Sequence, residues 1–155
     1  MSTSDTIFNR LAWLCSRREY CSGGIIDLLR RKGVEGKEAA AVLERLRAER
    51  YVDDARYARA FARDKAHLAG WGSRKIAYAL ASKGIPAETV KEALSEVEDG
   101  ESTRRMEEVI RGKWRSVKAA TPQERRVKVL RFALSRGYDY AAVMKVVSSL
   151  ECPKF

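Results

Sequence analysis

Two adjacent carboxylates, Asp53 and Asp54, stand directly ahead of three arginines, Arg56, Arg59 and Arg63. General acid–base chemistry wants two carboxylates converging on a pocket from separated positions, and neighbours in sequence do not converge in that way. Asp53 or Asp54 reads instead as the N-cap of a helix, accepting bonds from the first free backbone N–H groups and suiting the positive helix end. Behind the cap, Tyr57, Phe61 and Leu68 fall at spacings of four and seven and mark one apolar face. Arg56, Arg59 and Arg63 fall on another, pointing away from the core. The stretch is a helix entry with a buried side and a basic side.

Other reactive chemistries lack their residues. Cys15, Cys21 and Cys152 form an odd set without C-x-x-C spacing, and His67 is the only histidine, so no metal site or disulfide framework is expected. The cysteines read as reduced small residues, partly in the core of a cytosolic protein, and His67 as a surface or boundary residue. No G-x-x-x-x-G-K-[ST] loop is present, so no nucleotide hydrolysis is expected. The chain therefore reads as a non-enzyme with no catalytic residues, metal or cofactor. With no signal-peptide pattern and no apolar run approaching ~18 residues, a soluble cytoplasmic protein without a membrane partner is expected.

What remains is charge. The 155 residues carry a formal net charge of +10, unevenly placed. Residues 1–54 hold ten Lys/Arg against nine Asp/Glu, residues 55–100 eight against six, and residues 101–155 thirteen against six. That distribution implies an anionic partner near the C-terminal third, nucleic acid being the commonest candidate. The expected contact residues are Arg56, Arg59, Arg63, Arg74 and Lys75, followed by Arg104, Arg105, Arg111, Lys113, Arg115, Arg125, Arg126 and Arg131. Trp13, Trp71 and Trp114 invite base stacking. Helix packing is the competing reading, chiefly at Trp71, whereas Trp114 lies within Arg111-Gly-Lys-Trp-Arg115, where basic residues flank the ring.

The elements that must position these groups are helices. Ala, Leu, Arg, Lys and Glu are abundant, only three prolines occur, and no alternating run carries a hairpin signal. A first helix over Thr6–Glu19 places Ile7, Leu11, Leu14 and Trp13 on one face. A second, Gly23–Lys32, is capped by Ser22 and stops at Gly33, the usual left-handed C-terminal residue. A third spans Gly36–Arg50. The pattern then repeats: Ser73 precedes a helix that stops at Gly84, Pro86 opens another that runs to about Val97, and Thr121-Pro-Gln-Glu124 forms a capping box for a helix that stops at Gly137. Ile25, Ile76 and Val129 each lie eight residues before a stop glycine, and Leu29, Leu80 and Ala133 four before. The reading is an all-α chain of nine helices in three tandem three-helix repeats, over residues 1–52, 53–99 and 100–155, stacked into an elongated, curved monomer. The third helices lack the Asn, Gln and Arg that read base edges, so the helix-turn-helix likeness reads as packing rather than sequence-specific recognition.

The order and spacing of Tyr51-Val-Asp-Asp-Ala-Arg-Tyr-Ala, Gly70-Trp-Gly-Ser-Arg-Lys-Ile and Lys83-Gly84-Ile85 resemble the signature of the RecX family of bacterial regulatory proteins. Arg17-Arg18-Glu19-Tyr20, Leu28-Leu29 and Lys32-Gly33-Val34 resemble that family's first repeat. The resemblance covers about residues 10–98, with helix pattern and charge alone beyond. It implies three three-helix repeats in an extended, curved chain. It also implies a partner, the RecA filament on single-stranded DNA, bound in its groove and restrained in strand exchange, ATP hydrolysis and co-protease activity. Gly23-Gly24 stand where the second repeat has Arg74-Lys75, which makes the first repeat's second helix less basic. The alternative is a general single-stranded nucleic-acid-binding protein acting without RecA.

Overall fold

A computed structural model describes residues 2–152; residue 1 and residues 153–155, which the expected spans 1–52 and 100–155 include, lie outside the described residues. Among the described residues there are nine helices and no strand: α1 Thr3–Arg17, α2 Ser22–Arg31, α3 Gly36–Ala48, α4 Asp54–His67, α5 Ser73–Ser82, α6 Ala87–Val97, α7 Gly100–Ser116, α8 Pro122–Ser135 and α9 Tyr140–Glu151.

Each triplet of helices closes over its own apolar cluster. Leu11, Ile25, Leu29 and Leu46 centre the first, Ile76, Leu80 and Ala93 the second, and Ile110, Val129, Val143 and Val147 the third. The repeat positions hold: Ile25, Ile76 and Val129 are all buried, as are Leu29, Leu80 and Ala133. Gly33, Gly84 and Gly137 take φ of 79°, 81° and 90°, the left-handed conformation that ends a helix without a Cβ penalty. In each, the residue after the glycine returns its N–H to a carbonyl one turn back, as Val34 does to Leu29 and Ile85 to Leu80.

Several local expectations change. The α2 cap is Cys21, whose Sγ accepts from the Gly24 N–H, and Ser22 is the first helical residue. Ser73 likewise opens α5 behind Gly72, and Pro86 is the N-cap of α6. Asp53, not Asp54, caps α4. The buried stripe of α4 is Ala58, Ala62 and Ala66, with Tyr57 and Phe61 half-buried beside it and Leu68 74% exposed. Alanines let α4 and α6 approach closely, which larger side chains at those places would prevent. Trp13 turns outward at 51% exposure; Phe8, Ala12 and Cys15 complete the core face of α1.

Candidate interaction surface

The basic side chains are set in place by two joints between consecutive triplets. At the first, the Asp54 carboxylate accepts from the Ser22 N–H at the start of α2 (2.7 Å), supplying an anion where that helix end is positive. Arg47 reaches the Ser22 hydroxyl at 2.9 Å and lies 3.8 Å from Asp54. Arg56 turns back across the joint: its Nε donates to Glu19 at 2.7 Å, and its other nitrogens donate to the carbonyls of Arg50 and Tyr51. Those carbonyls belong to a left-handed turn at Arg50 (φ 63°), so Arg56 braces the place where the chain leaves the first triplet. The Glu19 carboxylate holds the Arg56 guanidinium above its ordinary pKa.

At the second joint the backbone does most of the bonding. The Gly72 N–H donates to the Arg136 carbonyl at 2.6 Å and the Arg74 N–H to the Gly137 carbonyl at 3.1 Å. The free donors of the α5 N-terminus thus meet the free acceptors of the α8 C-terminus. Tyr138, 6% exposed, donates its hydroxyl to the Gly70 carbonyl, and Arg136 donates to the Ala69 carbonyl. Burial pushes the Tyr138 phenol up, with Arg136 and Arg105 pulling the other way. A Cβ at Gly72 would strike the backbone of Gly137 and Tyr138, so only glycine permits this approach.

The expected contact residues separate into groups. Arg56 and Arg74 belong to the joints, Arg74 standing 3.6 Å from Asp139. Arg59 pairs with Glu96 at 3.7 Å across α4 and α6, and Arg126 with Glu151 at 3.5 Å across α8 and α9. Arg105 donates to the Leu68 carbonyl and lies 3.4 Å from Glu108. Arg125 donates to the Trp114 carbonyl while lying over its ring at 5.6 Å, and Lys113 covers Phe132 at 5.0 Å. Lys75 lies over Trp71 at 4.4 Å. Arg63, Arg104, Arg111, Arg115 and Arg131 are exposed and make no ion pair among the described residues. Four of those five come from α7 and α8, the most basic part of the sequence.

Several cations over aromatic rings escaped the sequence reading, Lys65 and Lys83 among them. Lys65 lies 4.7 Å from the Trp71 ring centre and 5.5 Å from that of Phe61, and Lys83 lies 5.8 Å from Phe61. The i,i+4 spacing of Phe61 and Lys65 was a legible signal; the approach of Lys83 depends on the turn after α5. At the outer end of the first triplet, Trp13 is flanked by Arg10 at 5.2 Å and Arg17 at 5.4 Å.

His67 is a boundary residue between the second and third triplets. Its Nε2 is 3.2 Å from the Ser102 hydroxyl and 3.5 Å from Asp99, while its Nδ1 is 3.9 Å from Glu101. His67, Asp99 and Glu101 are the group among the described residues closest to a metal-ligand cluster. The two carboxylates approach different ring nitrogens, whose lone pairs diverge, and Asp99 is engaged as the cap of α7, its carboxyl held below the ordinary value chiefly by the Ser102 N–H. An open cleft of about 530 Å³ runs between the second and third triplets, lined by Trp71, Ile76, Leu94, Met106 and Tyr138 with Glu98, Asp99 and Asp139 at its edge. Asp139 caps α9, and Ser102, which lines the cleft beside His67, donates its hydroxyl to the Val97 carbonyl. No described helix is long and apolar enough to cross a membrane.

Comparison with known proteins matches this architecture. Residues 53–94 match the family model "RecX, second three-helix domain" and residues 101–147 "RecX, third three-helix domain". The chain is 30% identical over 141 residues to the regulatory protein RecX of Chromobacterium violaceum, covering 90% of this chain and 87% of that one. It is 30% identical over 152 residues to the regulatory protein RecX of Prosthecochloris aestuarii, covering 97% and 98%. Other relatives are longer: the matches span 47% of the Oceanobacillus iheyensis RecX and 33% of the Geobacillus thermodenitrificans RecX. The crystal structure of RecX from Lactobacillus salivarius superposes with a TM-score of 0.83 over 96% of each chain at 16% identity, a likeness of fold.

Proposed function

Because the chain belongs to the RecX family of regulatory proteins, we propose that it is a non-enzymatic negative regulator of the RecA recombinase. In this reading it binds the RecA–single-stranded-DNA filament in its groove and restrains strand exchange, ATP hydrolysis and co-protease activity. The observation that carries the reading is the tandem match to the second and third three-helix domains, on a chain of the same extent as two RecX relatives. The unpaired cations Arg104, Arg111, Arg115 and Arg131 support an anionic partner surface beside α7 and α8. Arg63, Arg74, Lys75 and Lys113 join them in the proposed contact set, as do Arg56, Arg59, Arg105, Arg125 and Arg126 to the extent that their internal partners leave them free.

The test compares binding across salt to naked single-stranded DNA and to the same DNA coated with RecA and a non-hydrolysed nucleotide. Tighter binding to the coated filament, together with inhibited RecA ATPase, is the expected result. Equal or tighter binding to bare DNA would instead support a general single-strand-binding protein. Reversing Arg104, Arg111 and Arg115 to Glu should weaken filament binding without disturbing an internal ion pair; unchanged affinity at moderate salt removes them from the contact surface.

A further inference from the structure

The second triplet carries a cluster whose charge has no counterpart. Phe61 and Trp71 meet edge to face with ring centres 6.2 Å apart, and Tyr57 stacks on Phe61 at 5.9 Å. Around this ladder stand three ammonium groups from three places in the chain: Lys65 on α4, Lys75 on α5 and Lys83 at the α5 C-terminus. Each is 4.4–5.8 Å from a ring centre. None of the three makes an ion pair or a side-chain hydrogen bond among the described residues. In contrast, Arg56, Arg59, Arg74, Arg105 and Arg126 all have acids within 4 Å.

Ring faces attract cations, by about 0.5–1 kcal/mol at exposed sites, but they do not cancel charge. Three like charges held around two adjacent rings repel one another, and an anion placed among them relieves that repulsion. The half-buried rings give the ammonium groups fixed seats, unlike lysines that wave free from a helix surface. The first triplet continues the arrangement. Tyr20, which shares the repeat place of Trp71, carries Arg18 at 4.3 Å, and Arg18 is also within electrostatic reach of Tyr57. Aromatic rungs that carry cations therefore run from the first triplet into the second.

We propose that this ladder, Tyr57–Phe61–Trp71 with Lys65, Lys75 and Lys83, is a binding track for the phosphodiester backbone of single-stranded nucleic acid, distinct from the basic surface of α7 and α8. The inference deepens the function proposed above and takes its biological setting from it. Lysines seated on half-buried rings suit a single strand: the charges track the backbone, and the ring surface left open beside them tolerates any base. An acidic protein segment would use the lysines but gain little from the rings, and it is the alternative that the experiment must exclude.

The experiment uses the full chain and no RecA, so it reports on this track whether or not filament regulation is correct. Binding of a fluorescent oligo-dT is followed by anisotropy over a salt series, for the parent chain, Lys65→Gln/Lys75→Gln/Lys83→Gln and Arg104→Gln/Arg111→Gln/Arg115→Gln. Thermal unfolding checks that each variant folds. The lysine variant is expected to lose about tenfold or more in affinity and to flatten the salt slope by about 2, three phosphate contacts each being worth about 0.7 in a single strand. Lys65→Arg/Lys75→Arg/Lys83→Arg should restore both. With Trp13→Phe and Trp114→Phe, Trp71 becomes the only tryptophan, and its emission should change on adding oligo-dT but not poly-glutamate. No oligo-dT binding by the parent chain, an unchanged slope in the lysine variant, or a Trp71 response to poly-glutamate alone would each overturn the proposal.

Discussion

The two joints solve one problem by different means. Both seat the N-terminus of a triplet's second helix against the next triplet. At the first, side-chain ions do most of the bonding: Asp54 to the Ser22 N–H, Arg47 to Asp54, Arg56 to Glu19. At the second, Gly72 and Arg74 bond the carbonyls of Arg136 and Gly137 directly, and a buried phenol closes the gap. Glycine serves both joints: a Cβ on Gly23 would meet the Lys83 carbonyl at 2.7 Å, and a Cβ on Gly72 would meet the backbone of Gly137 and Tyr138 still more closely. The lesson is that a repeat can keep its core positions and its close glycine contact while the bonds around that contact are rebuilt, with ion pairs that salt screens at one joint and main-chain hydrogen bonds at the other.

The sharpest way to break the second joint is Gly72→Ala. Its Cβ would meet backbone of Gly137 and Tyr138, which cannot move aside as a flexible side chain can. A loss of about 3 kcal/mol is expected, at the upper end of overpacking costs, read by urea unfolding. Gly84→Ala is the counterpart: unlike Gly72, whose backbone is extended (φ −84°), it has a positive φ (81°) and open space, so only left-handed strain of about 1 kcal/mol applies. A Gly72→Ala loss no larger than that of Gly84→Ala would mean that the close approach yields readily to a Cβ.

Tyr138→Phe comes next. It strips the donor from the Gly70 carbonyl at a buried site, a change worth about 2 kcal/mol. The phenol also carries a pH signature. Burial raises its folded pKa above the ordinary 10.0, so the folded state holds the proton longer than the unfolded chain does. Stability should be intact below about pH 10 and fall as pH rises through the folded value. Alkaline unfolding curves of parent and Tyr138→Phe should therefore converge, and parallel curves would show that the phenol is not the sensitive group.

What the sequence disclosed, and what it hid, divides along the same line. Core positions repeat because each triplet must bury the same faces, so counting from Gly33, Gly84 and Gly137 located Ile25, Ile76 and Val129 without any coordinates. Joint residues obey no such period. Arg56 reads as an exposed arginine because its partner, Glu19, lies 37 residues upstream and only the fold brings them together. On α4, Tyr57 and Phe61 pack against the core as their spacing predicts. Large side chains dominate a hydrophobic pattern, however, so Leu68 reads as buried when it is exposed, and the close α4–α6 contact selects Ala58, Ala62 and Ala66 as the centre. Cys21 as a cap was invisible for a simpler reason: thiols are weak acceptors and seldom weighed for that place. The basic surface was legible as composition; which cations are free became legible only from the pairings.

The ionic character of the first joint can be measured with a double-mutant cycle on Glu19→Ala and Arg56→Ala. Both side chains remain about a third exposed, so a coupling of about 1 kcal/mol is expected despite the 2.7 Å contact. The coupling should shrink in high salt, while the loss caused by Gly72→Ala should not. A coupling that survives high salt would mark the pair as desolvated and bring the first joint closer in kind to the second.

Arg74→Ala should have the smallest effect on stability and the most specific meaning. Its backbone N–H is part of the second joint and survives the substitution. Its side chain makes only an exposed 3.6 Å pair with Asp139, worth about 0.3 kcal/mol or less. The residue thus separates the joint from the surface: the main chain holds two triplets together, and the guanidinium extends into solvent beside them. If the guanidinium belongs to the partner-binding surface, Arg74→Ala will weaken filament binding with an unchanged unfolding midpoint. Equal losses in binding and stability would place its role in the joint instead, and the second joint would then owe more to ions than its backbone bonds suggest.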